Sequence, residues 1–180
     1  MLKKLLLHEP LLSLTIDRLC QELIEYHDSF SHSVIIGMQP RGKFFADRVQ
    51  KKLRDLSGFS LPIGYLDTTF YRDDFRRRAE PMRADITQMP FDIENKNVIL
   101  IDDVLFTGRT LRAAMTALSE FGRPKHVELL VLIDRKYNRE LPIQPDYVGN
   151  SVNTIQSQKV VVEWKEQGFQ ADSIWLVSND

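Results

Sequence analysis

A chain of 180 residues, 43% of them hydrophobic and 27% charged, has the size and balance of one globular domain with a substantial core. Its 24 Lys and Arg residues nearly cancel its 25 Asp and Glu residues, and the formal net charge of −1 excludes a general electrostatic attraction to nucleic acid or an anionic membrane. The opening apolar run ends at His8, Glu9 and Pro10, too early for a signal peptide, so we expect a cytoplasmic protein.

The first third of the chain has the pattern of a helix followed by a strand, a loop and a second helix. Apolar residues at helical spacing predict the first helix, with Ser13 or Thr15 as its cap and Cys20, the single cysteine, on its buried face. A solid apolar strand comes next, and a second amphipathic helix follows a loop. The predicted helices are 15–27 and 45–56, the predicted strands are 34–37 and 61–66, and the loop is 38–43.

Residues 67–90 interrupt this regular pattern. They are highly charged, include Arg72-Asp73-Asp74 and Arg76-Arg77-Arg78, and have only weak periodicity. We therefore expect a flexible arm or a long hairpin here.

The second half of the chain continues the alternation of strand and helix. A strand at 98–101 precedes a helix that stops at Gly122, and a central strand at 127–133 precedes a charged loop at 134–145. Solid apolar strands that alternate with helices predict an α/β fold, a single domain over 1–180, whose mostly parallel sheet is covered on both faces. Shorter strand-like runs follow at 147–148, 160–164 and 174–177.

Ligands of such folds bind beyond the carboxyl ends of the strands, and the loop at 102–110 is the most informative of these ends. Its strand leads into two adjacent carboxylates, Asp102 and Asp103, which can accept hydrogen bonds from two neighbouring ribose hydroxyls. The turn Thr107-Gly108-Arg109-Thr110 can direct backbone N–H groups, two hydroxyls and the positive end of a helix at one phosphate, and Gly108 permits close approach. A diol on one side and a phosphate on the other describe a ribose 5-phosphate.

Two other interpretations explain this segment less well. Either half alone would indicate a solvated strand end or a generic helix cap, but the joined pattern is more specific. The tail Gly108-Arg109-Thr110 is similar to that of a Walker loop, whose first glycine would have to stand at Asp103. The spacing therefore argues against a Walker loop.

The segment resembles the phosphoribosyl pyrophosphate (PRPP) fingerprint of type I phosphoribosyltransferases, especially that of the PyrR family of uracil phosphoribosyltransferases and pyrimidine-operon attenuators. Further segments resemble the same family in the same order. The resemblance implies a central, mostly parallel sheet flanked by helices, with a flexible arm and a small hood, in a homodimer or larger assembly. These further segments are 34–42, 71–74, 134–135 with 139–142, and 146–149.

The resemblance also implies a reaction, in which uracil displaces pyrophosphate from PRPP with the help of Mg²⁺ and gives UMP. It assigns catalysis to Arg41, Arg72, Asp102 and Asp103, with the two aspartates as the metal site. It assigns PRPP binding to Pro40, Arg41, Asp102, Asp103, Val104, Leu105, Phe106, Thr107, Gly108, Arg109 and Thr110. It assigns base binding to Arg135, Lys159 and Val160, although each of these, like the two catalytic arginines, would otherwise be read as an ordinary surface or strand residue.

One position helps to choose the base. In purine salvage enzymes of this class an aspartate precedes the Thr-Gly pair, whereas Phe106 stands there in this chain. A phenyl ring cannot transfer a proton to or from a purine nitrogen. This favours uracil and leaves a purine-base phosphoribosyltransferase as the second alternative.

Two features depart from the family pattern. The pyrophosphate loop reads Gln39-Pro40-Arg41-Gly42 and lacks the lysine common in the PyrR family. The resemblance implies an unusual cis peptide in a loop of this type, and X-Pro bonds adopt cis at low cost, so we predict that Gln39-Pro40 is cis. The first helix holds only Arg18 among several acidic residues, which is a poor phosphate track. An RNA-binding attenuator that senses UMP or UTP with little catalysis is therefore the first alternative, not the main hypothesis.

The remaining candidates have no predicted chemistry. The four histidines lack metal-ligand spacing. Trp164 and Trp175 lie in strand-like runs, where we expect them to pack in the core.

Overall fold

The computed structural model describes residues 2–73 and 84–178, which form two sheets and three α-helices. Single turns of 3-10 helix lie at Thr69–Tyr71, Ser119–Phe121 and Lys165–Gln167. The strands are β1 (Leu2–His8), β2 (Ser33–Met38), β3 (Ile63–Leu66), β4 (Asn97–Leu105), β5 (His126–Lys136), β6 (Tyr147–Asn153), β7 (Gln158–Glu163) and β8 (Ser173–Ser178), and the helices are α1 (Leu11–His27), α2 (Gly42–Ser57) and α3 (Arg109–Leu118).

The larger sheet has five strands in the order β3-β2-β4-β5-β6, and every neighbouring pair is parallel. All of β2 is buried, as expected of a parallel strand with both faces covered. The predicted α/β fold is confirmed. Because the strands are parallel, the ends of β2, β4 and β5 meet at one edge, where Leu105 lies opposite Asp134.

The sheet separates two apolar layers. Successive side chains of β4 point to opposite faces. Ile99 belongs to the cluster that contains Leu23 of α1 and Phe45 of α2, whereas Leu100 belongs to the cluster that contains Leu118 of α3. Helices therefore cover both faces of the sheet, as the solid apolar strands predicted.

The smaller sheet, the hood, has the antiparallel order β1-β8-β7 and includes a strand that the sequence did not predict. Only Leu7 is buried in β1, and Leu2 is 68% exposed, so β1 lacks the apolar pattern of a core strand. It forms because its backbone pairs with β8, with Leu2 opposite Ser178. The runs predicted near 160–164 and 174–177 are confirmed as β7 and β8.

The two tryptophans differ. Trp164 is fully buried, and its ring stacks on that of Phe45 with 6.3 Å between the two centroids. The Arg48 guanidinium lies 4.5 Å from the centroid of the Trp164 ring. Trp175 is only partly buried and donates to Glu163 and Ser173. Core packing is thus confirmed for the first and wrong for the second.

The helix boundaries correct one prediction and confirm another. Because α1 begins at Leu11, neither Ser13 nor Thr15 caps it: Ser13 donates to the Glu9 carboxylate, and Thr15 to the Leu11 carbonyl. After α3 and one 3-10 turn, the chain leaves the helix at Gly122, as predicted, with a positive φ of 121°.

The single cysteine lies in the core. Cys20 is fully buried, and burial raises the pKa of its thiol to about 12. The thiol therefore stays protonated and unreactive at neutral pH, as its place on the inner face of α1 predicted.

The predicted arm lies partly outside the described residues, which include neither Asp74 nor Arg76-Arg77-Arg78. Of the flanking residues, Gln88 forms an isolated antiparallel bridge with Tyr65 of β3.

Within 2–73 and 84–178, every helix is too short or too polar to span a bilayer.

Candidate active site

A cavity of about 170 Å³ lies between the end of β4 and the start of α3. It is bounded on one side by a carboxylate and on the other by the turn that leads into the helix. The predicted site residues in its wall are Arg72, Asp102, Val104, Leu105, Phe106, Thr107, Gly108 and Thr110.

The turn has the geometry expected of an anion site. Gly108 is the N-cap of α3 and has a positive φ of 92°, a backbone conformation that residues with a side chain rarely adopt. The Arg109 N–H reaches the Thr107 hydroxyl at 3.4 Å. The first N–H groups of a helix precede its internal hydrogen bonds, which begin here with Arg112 N–H to the Gly108 carbonyl. Apart from that of Arg109, they can be offered to the cavity together with the positive end of the helix dipole.

The two carboxylates have different surroundings. Asp102 lies in the cavity wall, and its Oδ1 accepts the Asp103 N–H at 2.9 Å. Asp103 is only 5% exposed and lies outside the cavity wall, and its Oδ2 has no hydrogen-bond partner among the described residues. The structure thus brings only the first carboxylate directly to the cavity.

Burial controls the protonation of this pair. Loss of hydration raises the pKa of Asp102 well above its ordinary value, and repulsion from Asp103 raises it further. Burial also raises the pKa of Asp103, while the positive charge of Arg41 opposes the increase at both carboxyls. Cations close to the pair therefore favour its ionised form.

The loop between β2 and α2 lies directly against these carboxylates. A Cβ on Gly42 would lie 2.7 Å from the Ile101 carbonyl oxygen, so only glycine allows this approach. Arg41, an exposed residue, is the N-cap of α2. The peptide between Gln39 and Pro40 is cis, as predicted.

The start of the arm also reaches the site. Arg72 Nη1 donates to Thr110 Oγ1 at 2.6 Å. Arg109, in contrast, directs its guanidinium away from the cavity, toward Glu140 at 2.5 Å and Asp73 at 2.6 Å. Of these two predicted residues, Arg72 presents its side chain to the turn, whereas Arg109 presents only its backbone.

The predicted base-binding residues divide in the same way. Arg135 is only 5% exposed, and its guanidinium lies 3.6 Å from the centroid of the Phe106 ring, so it is not an ordinary surface residue. It also donates to the Gln158 carbonyl at 2.7 Å, at the start of β7. Lys159 is exposed and Val160 buried. None of the three belongs to the wall of the 170 Å³ cavity, but Arg135 contacts Phe106, which does.

Sequence reasoning gave no role to two further residues. Arg139 donates from Nη1 to the Phe106 carbonyl and from Nη2 to Asp134, each at 2.6 Å. The Asp134 side chain is 1% exposed. Asp134 lies near the end of β5 and Arg139 in the loop that follows it. Both belong to segments that resemble the family, but the pairing of their side chains depends on the fold and could not be read from the sequence.

No cluster of three or more His, Cys, Asp or Glu side chains within 2–73 and 84–178 could enclose a metal ion. The adjacent pair Asp102 and Asp103 is the remaining candidate in this site. Two hard oxygen donors suit Mg²⁺, which usually takes only one or two protein carboxylates and completes its shell with water and substrate oxygens. The pair therefore fits a magnesium ion delivered with a phosphorylated substrate.

We expect Asp102→Asn to raise the melting temperature at neutral pH. The raised pKa of Asp102 means that protonation stabilises the folded state fully below about pH 3.8, the ordinary pKa, and that this stabilisation is lost as the pH rises through the folded pKa. Asparagine avoids the cost of the buried charge, and each kcal/mol recovered corresponds to about 2–4 °C.

Thermal unfolding between about pH 4 and pH 8 measures this effect, which should grow as the pH rises. Glu25→Gln, the corresponding carboxylate-to-amide change at an exposed position, is the control and should give a small, constant difference. An Asp102→Asn difference that is equal at all pH values would contradict the assignment.

Known proteins resemble this chain over most of its length. The family described as "Phosphoribosyl transferase domain" matches residues 4–167. A protein named "Bifunctional protein PyrR" from Elusimicrobium minutum is 40% identical over 179 residues, which cover 99% of both chains. The protein of that name from Mannheimia succiniciproducens is 46% identical over 165 residues, 89% of this chain and 91% of the other.

Among solved structures, the hypoxanthine phosphoribosyltransferase of Trypanosoma cruzi matches with a TM-score of 0.74 over 98% of this chain and 97% of its own. At 17% identity this likeness concerns the fold alone. Taken with the parallel sheet, the glycine turn and the carboxylate pair, these matches show that the chain has the type I phosphoribosyltransferase fold and belongs to the PyrR family.

Proposed function

We propose that the protein is a uracil phosphoribosyltransferase that converts uracil and PRPP into UMP and pyrophosphate. The observation that carries this proposal is the cavity with Asp102 on one side and the Thr107-to-Thr110 turn on the other. The carboxylate suits the ribose hydroxyls, and the turn suits the 5-phosphate. The ribose is then held at both ends while its anomeric carbon reacts.

The carboxylate pair would hold Mg²⁺ together with PRPP. Asp102 faces the cavity, and Asp103 has a buried oxygen without a hydrogen-bond partner among the described residues, so both have acceptor capacity for such an ion or its water ligands. The ion would neutralise negative charge that grows on the leaving pyrophosphate.

Two arginines would contact the pyrophosphate. In the reaction the bond from the anomeric carbon to pyrophosphate breaks as uracil N1 bonds to that carbon, and the N1 proton passes to the departing pyrophosphate or to solvent. In the transition state the leaving group gains negative charge and the ribose ring gains positive charge. Arg41 supplies positive charge beside the carboxylates, and Arg72 already reaches Thr110. Fixed cations here stabilise the transition state more than the ground state. Pro40 lies in the same loop and would help to shape the pyrophosphate site.

The neighbourhood of Phe106 supports a pyrimidine. Its ring is stacked under the Arg135 guanidinium, where a purine enzyme of this class has a carboxylate. We assign base contacts to Arg135. Because Arg135 donates to the Gln158 carbonyl at the start of β7, we also assign base contacts to the next two residues, the side chain of Lys159 and the backbone of Val160. This arrangement offers donors to a pyrimidine carbonyl and no proton acceptor at residue 106.

A panel of free bases tests the choice of substrate. We expect kcat/KM for uracil to exceed that for hypoxanthine or guanine by at least about 100-fold, because residue 106 cannot exchange a proton with a purine. Release of pyrophosphate from PRPP is measured with each base and without any base. Preference for a purine would instead establish the purine-salvage alternative.

A matched pair of glycine substitutions tests the turn. Gly108 and Gly168 have φ values of 92° and 93°, so alanine should strain the backbone by about 1–2 kcal/mol at either position. An added Cβ meets nothing within 4 Å at Gly168 but approaches Ile143 to 3.1 Å at Gly108, in the cavity wall.

We therefore expect Gly108→Ala to raise the KM for PRPP by about tenfold through displacement of the turn, and Gly168→Ala to leave it unchanged. Steady-state kinetics and thermal unfolding of both variants measure the two effects. Equal kinetics in both would argue against phosphate binding at this turn.

A second candidate function is regulation through RNA, with UMP or UTP as the signal. It is favoured by the word "bifunctional" in the names of the relatives. The best-placed cation of α1 is poorly available, however, because Arg18 donates to the carbonyls of Val148 and Gly149 and to Glu22. Cytoplasmic location and a homodimer or larger assembly would suit either function.

Binding to a pyrimidine-operon leader transcript tests this candidate. We expect a Kd no tighter than about 1 µM at ~0.15 M salt, a value typical of non-specific binding, since the formal net charge is −1. Filter binding across a salt series, with a scrambled transcript as control, measures it. Nanomolar, sequence-specific binding would contradict this expectation and establish the regulator.

A further inference from the structure

The turn that would bind the 5-phosphate is held from outside by residues 139–141, a segment that we call the brace. Arg139 Nη1 donates to the Phe106 carbonyl at 2.6 Å. The N–H groups of Glu140 and Leu141 donate to the Thr107 carbonyl at 3.0 Å and 3.2 Å. Three donors of one segment therefore bind the last two carbonyls before Gly108.

Arg139 also fixes the brace to the sheet. Arg139 Nη2 donates at 2.6 Å to Asp134, whose side chain is 1% exposed and also pairs with Lys136 at 2.7 Å. Asp134 belongs to β5, directly opposite Leu105 of β4. One guanidinium thus connects the backbone of the turn to a buried carboxylate in the neighbouring strand.

This arrangement has an electrostatic consequence for the turn. A backbone that presents N–H groups to an anion must direct its carbonyl oxygens elsewhere, because they carry negative charge and repel phosphate. The brace donates hydrogen bonds to the carbonyls of Phe106 and Thr107 and so fixes their direction. The backbone that follows can then present N–H groups, and not carbonyls, to the cavity.

We propose that Arg139 is a positioning residue for the phosphate-binding turn, acting through the Phe106 carbonyl and not through contact with substrate. This inference rests on the proposed function. The planar guanidinium suits the task because it presents two donors in a fixed fork, one for Phe106 and one for Asp134. Loss of the fork lets the carbonyl rotate and weakens the site for the 5-phosphate.

The test uses two ligands that occupy different parts of the site. Ribose 5-phosphate carries the phosphate that the turn would bind, whereas pyrophosphate would bind beside Arg41 and Arg72. Arg72 meets the turn at the Thr110 hydroxyl, after Gly108, and not at the two carbonyls before Gly108 that the brace binds. We expect Arg139→Met, which keeps the apolar stem, to bind ribose 5-phosphate about tenfold more weakly and pyrophosphate as the wild type does. The KM for PRPP should increase by a similar factor, with a smaller change in kcat.

Arg139→Lys separates geometry from charge. It keeps the positive charge but cannot reproduce the fork, so we expect ribose 5-phosphate affinity to fall by at least about threefold. Wild-type affinity in this variant would overturn the proposal, because charge alone would then suffice. If Arg139→Met does not fold, as judged by circular dichroism, Arg139→Lys decides the question.

Arg123→Met is the matched control, since the same substitution is made at an exposed arginine outside the site, and it should leave both affinities unchanged. Titration calorimetry with Mg²⁺ measures all the variants. Unchanged ribose 5-phosphate affinity in a folded Arg139→Met protein would overturn the inference. If the wild type binds ribose 5-phosphate but does not convert uracil and PRPP into UMP, only the proposed function is contradicted. If the wild type binds neither ribose 5-phosphate nor pyrophosphate, the proposed function and the role of Arg139 are both contradicted.

Discussion

The buried carboxylate pair at the end of β4 is the constraint around which the rest of the site is arranged. Asp102 and Asp103 lose hydration and repel each other, so their charged forms need positive partners nearby. The approach of Gly42 to β4 brings Arg41 to the pair, and the start of the arm brings Arg72 to the other side of the cavity. A substrate that arrives with its own divalent cation would supply further positive charge beside the two carboxylates. Binding of this substrate would therefore favour the charged form of the pair.

Much of this site could be predicted because its parts are local in sequence. The strand, the carboxylates, the glycine turn and the start of α3 are contiguous, so pattern and spacing were enough to identify them. Arg41 was assigned through the family resemblance, and topology explains why its loop lies near Asp102, because parallel strands end at one edge of the sheet. These predictions needed no knowledge of distant contacts.

The remainder depends on contacts between distant parts of the chain. β1 lacks the apolar pattern of a core strand and forms by pairing with β8. Its residues were compared with the start of a signal peptide and were not predicted to be a strand. The direction of Arg109, which turns to Glu140 and Asp73, is set by partners 31 and 36 positions away in sequence. Arg139 presented the same difficulty, since its partners are a backbone carbonyl and a buried side chain that only folding brings together.

The two outer strands of the parallel sheet have consequences for how the molecule can associate. Along β6, Arg18 occupies the carbonyls of Val148 and Gly149, and along β3, Tyr65 exchanges two hydrogen bonds with Gln88. Exposed strand edges are the usual templates for uncontrolled polymerisation. With part of both margins of the parallel sheet engaged by the chain itself, edge-to-edge growth of this sheet into fibrils is disfavoured.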